Sequence, residues 1–204
     1  ELLSKYTAPS SGEATSDIPV LIRNGSINIR TLQTGNIKTE NTTGRIALRN
    51  NNFCLDNLNT SVFKGIINGN ITVNLISMLI DIKTNGSGLN VEEARYALAN
   101  IKNTLTGTLG FNTDITMSGS TPEEIMKNLK GTVKFDMENG QLGPFGKLEN
   151  MILAENIRES KFFQTALGGI INNIATIDTS RFKTMDGLIT FDSGIAHINQ
   201  ITTT

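Results

Sequence analysis

The chain has 204 residues, of which 38% are hydrophobic, 5% aromatic and 18% charged, and its formal net charge is −1. This length is enough for one domain with its own core. The near-neutral charge, with Lys and Arg scattered singly, excludes the cationic footprint of a nucleic-acid-binding protein.

The first 17 residues are polar and contain Ala-Pro-Ser-Ser-Gly, so we expect residues 1–17 to be a linker or a disordered end. Regular patterning begins at Ile18, and we expect residues 18–204 to form a single β-rich domain. The chain starts at Glu1 without Met and contains no run of 18 apolar residues. We therefore expect it to be a fragment of a longer protein.

Alternation of apolar and polar residues is the main structural signal. It first appears around Ile46 and Leu48, then over 63–75 and 76–82. It is clearest over 105–117, where thirteen residues predict a strand of roughly 43 Å. It returns over 133–137 and 185–191. Together these segments predict an antiparallel sheet whose long strands are apolar on one side.

Glycine-containing dipeptides separate the alternating segments. Asn24-Gly25, Asn68-Gly69, Asn139-Gly140 and Ser193-Gly194 each predict a hairpin turn, because these residues accept positive φ at low cost. Gly86-Ser-Gly88 predicts a turn between a strand and a helix.

Two helices have recognisable starts. Asn90-Val-Glu-Glu predicts a helix that runs to about Ile101. Thr121-Pro-Glu-Glu is a capping box with proline at the first helical position, and it predicts a helix over 122–130. The side chain of Glu124 is expected to reach back to the amide of the capping residue.

Two further helices are predicted from apolar stripes, one starting near Pro144 and one over 160–174. The fold class that follows is α+β and mostly β. We expect a long, twisted antiparallel sheet, forming an open groove or half-barrel, with three to four short helices packed on one face or end.

Catalytic and metal-binding residues are poorly represented. His197 is the only histidine and lies in an alternating segment, and no nucleophile elbow accompanies it. One histidine and one cysteine, Cys54, do not make a zinc ligand set. The acidic pairs Glu92-Glu93 and Glu123-Glu124 fall in first helical turns, where they favour the helix dipole. The sequence predicts no enzyme activity, no metal and no cofactor, and it predicts Cys54 to be a buried or half-buried strand residue.

The apolar strand faces therefore carry the functional question. Strands with one apolar side need a cover, and any part left uncovered would be a binding surface. Patterning alone favours a closed core.

A family resemblance adds to this interpretation. Residues 105–142 contain a strand, then Gly-Ser-Thr-Pro-Glu-Glu (119–124), a short helix, Leu-Lys-Gly (129–131) and a strand ending in Asn-Gly (139–140). This order resembles the C-terminal region of AsmA-like bacterial envelope proteins, including their TamB-like relatives. Similar elements lie at 63–69 and 182–194, so that the resemblance covers most of 18–204.

The resemblance implies an elongated, twisted β groove with an apolar interior, and a role in phospholipid transport or outer-membrane assembly. It implies a periplasmic protein anchored to the inner membrane by an N-terminal helix absent from this chain, and it implies contact with the membrane only through that helix. The partners implied are a phospholipid or other acyl-chain ligand and envelope assembly proteins. The family offers no catalytic motif to transfer.

Two hypotheses remain open. In the first, acyl chains lie along the apolar face, lined by Leu105, Leu109, Phe111, Ile115, Met117, Val133, Phe135, Met137, Ile189 and Phe191. In the second, the chain is a structural or adhesive β module with a closed core, acting through its polar surface.

Overall fold

The computed structural model of the chain describes residues 20–99, 105–142 and 180–204. These residues form nine strands, β1 (Ile22–Thr34), β2 (Ile37–Arg49), β3 (Asn52–Val62), β4 (Gly65–Asn74), β5 (Leu79–Asn90), β6 (Leu105–Ser118), β7 (Lys130–Leu142), β8 (Ser180–Asp192) and β9 (Ile195–Thr203). Two helices interrupt them, α1 (Val91–Ala99) between β5 and β6, and α2 (Pro122–Lys127) between β6 and β7.

The strands form one sheet in sequence order, and each pairs antiparallel with the next. β1 and β9 lie at its two edges, so the sheet is open within the described residues. Nine strands at about 4.8 Å spacing give a width of roughly 38 Å. The prediction of a mostly β fold built on a long antiparallel sheet is confirmed.

Register places the apolar positions of neighbouring strands side by side. Leu109 pairs with Met137 and Phe111 with Phe135 between β6 and β7. Ile82 pairs with Ile115 between β5 and β6. Because directly paired residues project from the same side of a sheet, these pairings align the alternation of each strand into one continuous surface, the apolar face.

Both helices with predicted caps are present. The Asn90 side-chain oxygen accepts from the Glu93 amide at 2.9 Å and starts α1. Thr121 Oγ1 accepts from the Glu124 amide at 3.2 Å and starts α2, whereas the Glu124 carboxylate accepts from the Ser120 amide, one residue before the cap. α2 is shorter than the predicted 122–130, because Asn128 caps it and β7 already begins at Lys130.

The described residues thus contain two helices, fewer than the three to four predicted. The other two predicted helices fall in residues 143–179, and the expected linker at 1–17 falls in residues 1–19; both stretches lie outside the described residues.

Three of the four predicted glycine turns are wrong. Asn24-Gly25, Asn68-Gly69 and Asn139-Gly140 lie inside β1, β4 and β7, and only Ser193-Gly194 joins two strands. Gly86-Ser-Gly88 also lies within a strand, β5. Each of these segments lies at or opposite a register shift in the sheet, as at Ile22/Gly25 and Gly86/Leu89. These glycines therefore lie at β-bulges and at close contacts between strands, where glycine is also common, and they do not form turns.

The strands predicted over 63–75 and 76–82 have different bounds in the structure. β4 ends at Asn74 and β5 begins at Leu79, and the turn between them includes Leu75 and Ile76. The Asn74 side-chain oxygen accepts from the amides of Ile76 and Ser77, which closes the turn at this point.

A buried cluster lies at the start of α1, at one end of the apolar face. Val91 packs there with Met137, Phe182 and Met185. α1 contacts β6, β5 and also β2, which is three strands from β5, so that the helix lies across the sheet. Next to the start of α1, the backbone amide of Asn90 donates a hydrogen bond to the carbonyl oxygen of Phe63 at 2.7 Å.

Candidate functional site

All ten residues predicted to line a groove lie on three adjacent strands, β6, β7 and β8. Through the register they share the apolar face: Val133 pairs with Ile189, and Gly131, between Ile115 and Phe191, pairs with both. Met137 and Ile189 are buried, and the other eight are partly buried. The surface is therefore largely continuous but incompletely covered.

Glycines on neighbouring strands lie beneath aromatic rings. A Cβ atom on Gly86 would collide with the ring of Phe111, and one on Gly187 would collide with the ring of Phe135. Phe182 lies in the same way over Gly140. The rings of Phe111 and Phe135 therefore lie across the sheet, and the aromatic rings shield the glycine backbones. The result is an apolar surface in which aromatic rings fill the space left by the glycines.

The structure divides the ten predicted residues into two groups. Leu105, Leu109, Phe135 and Met137 belong to the cluster under α1. The other six extend from this cluster toward the opposite end of the strands: Phe111, Ile115, Met117, Val133, Ile189 and Phe191. The second group is the better candidate for contact with a ligand, because the first already packs in or against the buried cluster that includes Val91 of α1.

The apolar face also continues through strands that the sequence did not assign to the site. Their paired apolar residues are Ile22, Ile46, Leu48, Phe53, Leu55, Ile71, Val73, Ile80 and Ile82. The alternation around Ile46 and over 63–82 was the sequence feature from which these residues could have been assigned to the apolar face. On this same face the hydroxyls of Thr84 and Thr113 bond each other at 2.6 Å, so these polar groups are satisfied within the apolar surface.

The opposite face is polar. Lys83 Nζ lies 3.2 Å from Asp114 Oδ2, and the hydrogen bond and charge of Asp114 raise the pKa of Lys83. Asn112 donates to Asn85 on the neighbouring strand. A shallow depression of about 640 Å³ on this face is lined by Lys134 and Asp136 but also by apolar residues such as Leu188. The face presents solvated cross-strand pairs.

The residues that could take part in catalysis or metal binding lie far apart on the sheet. His197 is exposed in β9, where it pairs with Thr190, and Cys54 is half-buried in β3, as predicted. Among residues 20–99, 105–142 and 180–204, no three His, Cys, Asp or Glu side chains are grouped as metal ligands would be. Neither of the described helices, with nine and six residues, has the length and apolar character needed to cross a bilayer.

Comparison with known proteins identifies the family. The model of the AsmA family matches residues 11–201, which is nearly the whole chain. Searches of curated proteins and of solved structures returned no match. The ordered meander, the one-sided apolar sheet and the family match agree, and the chain belongs to the AsmA family.

Proposed function

We propose that this chain is a non-enzymatic lipid-handling segment of the bacterial envelope, in which the uncovered part of the apolar face holds acyl chains. The observation that carries the proposal is the six-residue group beyond α1, which lies on one face and is mostly only partly buried. Membership of the AsmA family supports an envelope role.

Size and chemistry suit an acyl-chain ligand. The strands of the apolar face contain 9 to 14 residues and so reach about 45 Å. One leaflet of a bilayer has about 15 Å of hydrocarbon, half of the roughly 30 Å core, so that strands of this length exceed one extended chain. Burial of acyl carbon on the face contributes about 25 cal/mol for each Å² removed from water.

The finer parts of the proposal follow from the family. They are a periplasmic location, an anchor in the inner membrane formed by an N-terminal helix outside this chain, and work with envelope assembly proteins in phospholipid transport or outer-membrane assembly. The structural or adhesive alternative requires a closed core. The partial burial of Ile115, Met117 and Phe191 favours the lipid-handling function over it.

Native mass spectrometry after detergent-free purification tests the proposal, together with a titration by the fluorescent fatty acid cis-parinaric acid. The wild-type chain is expected to carry phospholipid-sized adducts and to bind the probe. Phe111→Asp and Ile115→Asp place a charge in the contact surface, and each is expected to weaken probe binding at least tenfold, because a carboxylate is costly to desolvate.

Matched controls separate a lost ligand from a lost fold. Asn112→Asp adds the same charge next to Phe111 but on the exposed polar face, and it should bind the probe as the wild type does. His197→Ala should also have no effect. Absence of adducts and of probe binding in the wild type, with a folded circular dichroism spectrum, would refute the proposal.

A further inference from the structure

One end of the sheet exposes more large apolar side chains than folding requires. Just before β1, Val20 and Leu21 are 55% and 56% exposed. In the turn between β4 and β5, Leu75 and Ile76 are 39% and 49% exposed, and Leu79 follows at the start of β5. The register places these segments at the same end of their strands, and we call this end the β1–β5 rim.

The rim is continuous and held in place. The Leu75 amide donates to the Asn51 carbonyl oxygen at 2.8 Å, which joins the β4–β5 turn to the β2–β3 turn. Asn74 Nδ2 donates to Asn52 Oδ1 at 3.0 Å. Five strands at about 4.8 Å spacing make the rim roughly 19 Å wide. Turns usually consist of polar residues, so a hydrogen-bonded turn that presents Leu75 and Ile76 to solvent requires another explanation.

The charges at the rim are cationic. Its three segments, residues 20–26, 47–53 and 73–80, contain Arg23 and Arg49 but no Asp or Glu. Within the part of the chain that the structure describes, neither arginine forms an ion pair.

Beside the rim both arginines line a depression of about 400 Å³ together with Arg45 and Asp56. Its charged side chains give a formal charge of +2. Its floor includes Ala47, which is buried and too small to fill the space.

Apolar side chains at the tip of a structure, with arginines directly behind them, match the chemistry of a bilayer interface. We propose that the β1–β5 rim docks the protein on an anionic phospholipid surface. Leu75, Ile76 and Leu21 enter the boundary between headgroups and acyl chains, and Arg23 and Arg49 bind lipid phosphates. The rim leads into the apolar face through Val73 and Ile80, which would bring a docked bilayer next to the acyl-binding surface.

Vesicle flotation with the whole chain tests this proposal. Vesicles of equal parts phosphatidylglycerol and phosphatidylcholine should bind the protein, with binding that falls as salt rises, and vesicles of phosphatidylcholine alone should bind it far less. The double variant Arg23→Gln/Arg49→Gln should bind anionic vesicles more weakly, by a factor of about five for each arginine removed and so about 25 in total. The double variant Leu75→Asn/Ile76→Asn should lose at least tenfold.

The controls lie outside the rim. Leu32→Asn changes a side chain of similar exposure at the other end of β1, and Arg30→Gln removes an arginine elsewhere on that strand. Both should bind as the wild type does. The proposal is overturned if the wild type does not bind anionic vesicles, if it binds neutral vesicles equally well, or if the controls weaken binding as much as the rim variants.

The same set of variants keeps this proposal apart from the proposed function. Ile115→Asp, in the acyl-contact surface, should still float with anionic vesicles, and the rim variants should still carry adducts in native mass spectrometry. Loss of vesicle binding with adducts retained concerns the rim alone. Loss of adducts with vesicle binding retained concerns the acyl-binding surface alone.

Discussion

Individual glycines decide how closely neighbouring strands approach in this sheet. Gly131 has a φ of +131°, and a Cβ atom there would collide with the backbone carbonyl oxygen of Asp114 on β6. Gly35 also has positive φ, at +56°, but no heavy atom lies within 4 Å of its ideal Cβ position. At Gly35 an added Cβ would meet only the strain of positive φ, whereas at Gly131 it would also meet a neighbouring strand. Comparing substitutions at the two positions therefore separates the cost of backbone strain from the cost of the strand contact.

Gly131→Ala is expected to lower the free energy of unfolding by about 3 kcal/mol, since it adds both strain and a collision with fixed backbone. Gly35→Ala should cost only about 1 kcal/mol, the cost of a left-handed alanine. Urea unfolding followed by circular dichroism measures both values. Equal losses at the two positions would show that close strand contact at Gly131 does not matter.

At the scale of elements, the start of α1 takes part in the buried cluster at one end of the apolar face, through Val91. Met137 on β7 is buried in the cluster that includes Val91 of α1. Met117 on β6 lies near the other end of the same face and is only partly buried. Alternation gives both methionines the same apolar-face position. Tertiary packing makes their surroundings different, because Met137 lies in the cluster with Val91, Phe182 and Met185.

Met137→Ala should therefore cost about 3 kcal/mol of unfolding free energy, as expected for a large side chain removed from a packed core. Met117→Ala should cost about 1 kcal/mol, because it leaves a surface already open to water. Chemical denaturation of both variants gives the comparison. A larger loss for Met117 would mean that its end of the face is covered as well as the end under α1.

At the scale of the whole molecule, contacts among the described residues run mainly between consecutive strands, with α1 as a bridge to β2. Such a structure is nearly one-dimensional, so that the stability of one region depends mainly on its neighbours. A buried cluster lies on β7 and β8 with Val91 of α1. The β1 edge is remote from this cluster, and its apolar-face residues Ile27 and Ile29 are only partly buried.

Ile27→Ala is expected to speed amide hydrogen exchange in β1 and β2 while β7 and β8 keep their protection. Met185→Ala, in the buried cluster, should do the reverse. Hydrogen exchange followed by mass spectrometry resolves the two patterns. Equal acceleration in all strands after either substitution would show that the sheet opens as a single cooperative unit.

Local periodicity was sufficient for a large part of this fold. Alternation over 105–117 predicted β6 almost to its ends, and the capping residues Asn90 and Thr121 predicted both described helix starts. The Asn-Gly dipeptides were wrongly predicted to form hairpin turns, because the backbone conformation at each one depends on residues far away in the sequence. Gly140, for example, lies beneath Phe182, which is 42 residues away in the chain.

The candidate site divides in the same way. By itself the sequence determined that Phe111 and Ile115 lie on the same side of one strand, because side chains alternate between the two sides of a strand. The pairing register of β6, β7 and β8 then brings Val133 and Phe191 to that side. Tertiary structure alone decided that Leu105 and Leu109 pack against the buried cluster at α1, and that Leu75 and Ile76 lie at the same rim as Arg49. The reason is physical: alternation depends on the backbone of one strand, whereas cover and proximity depend on where other elements pack.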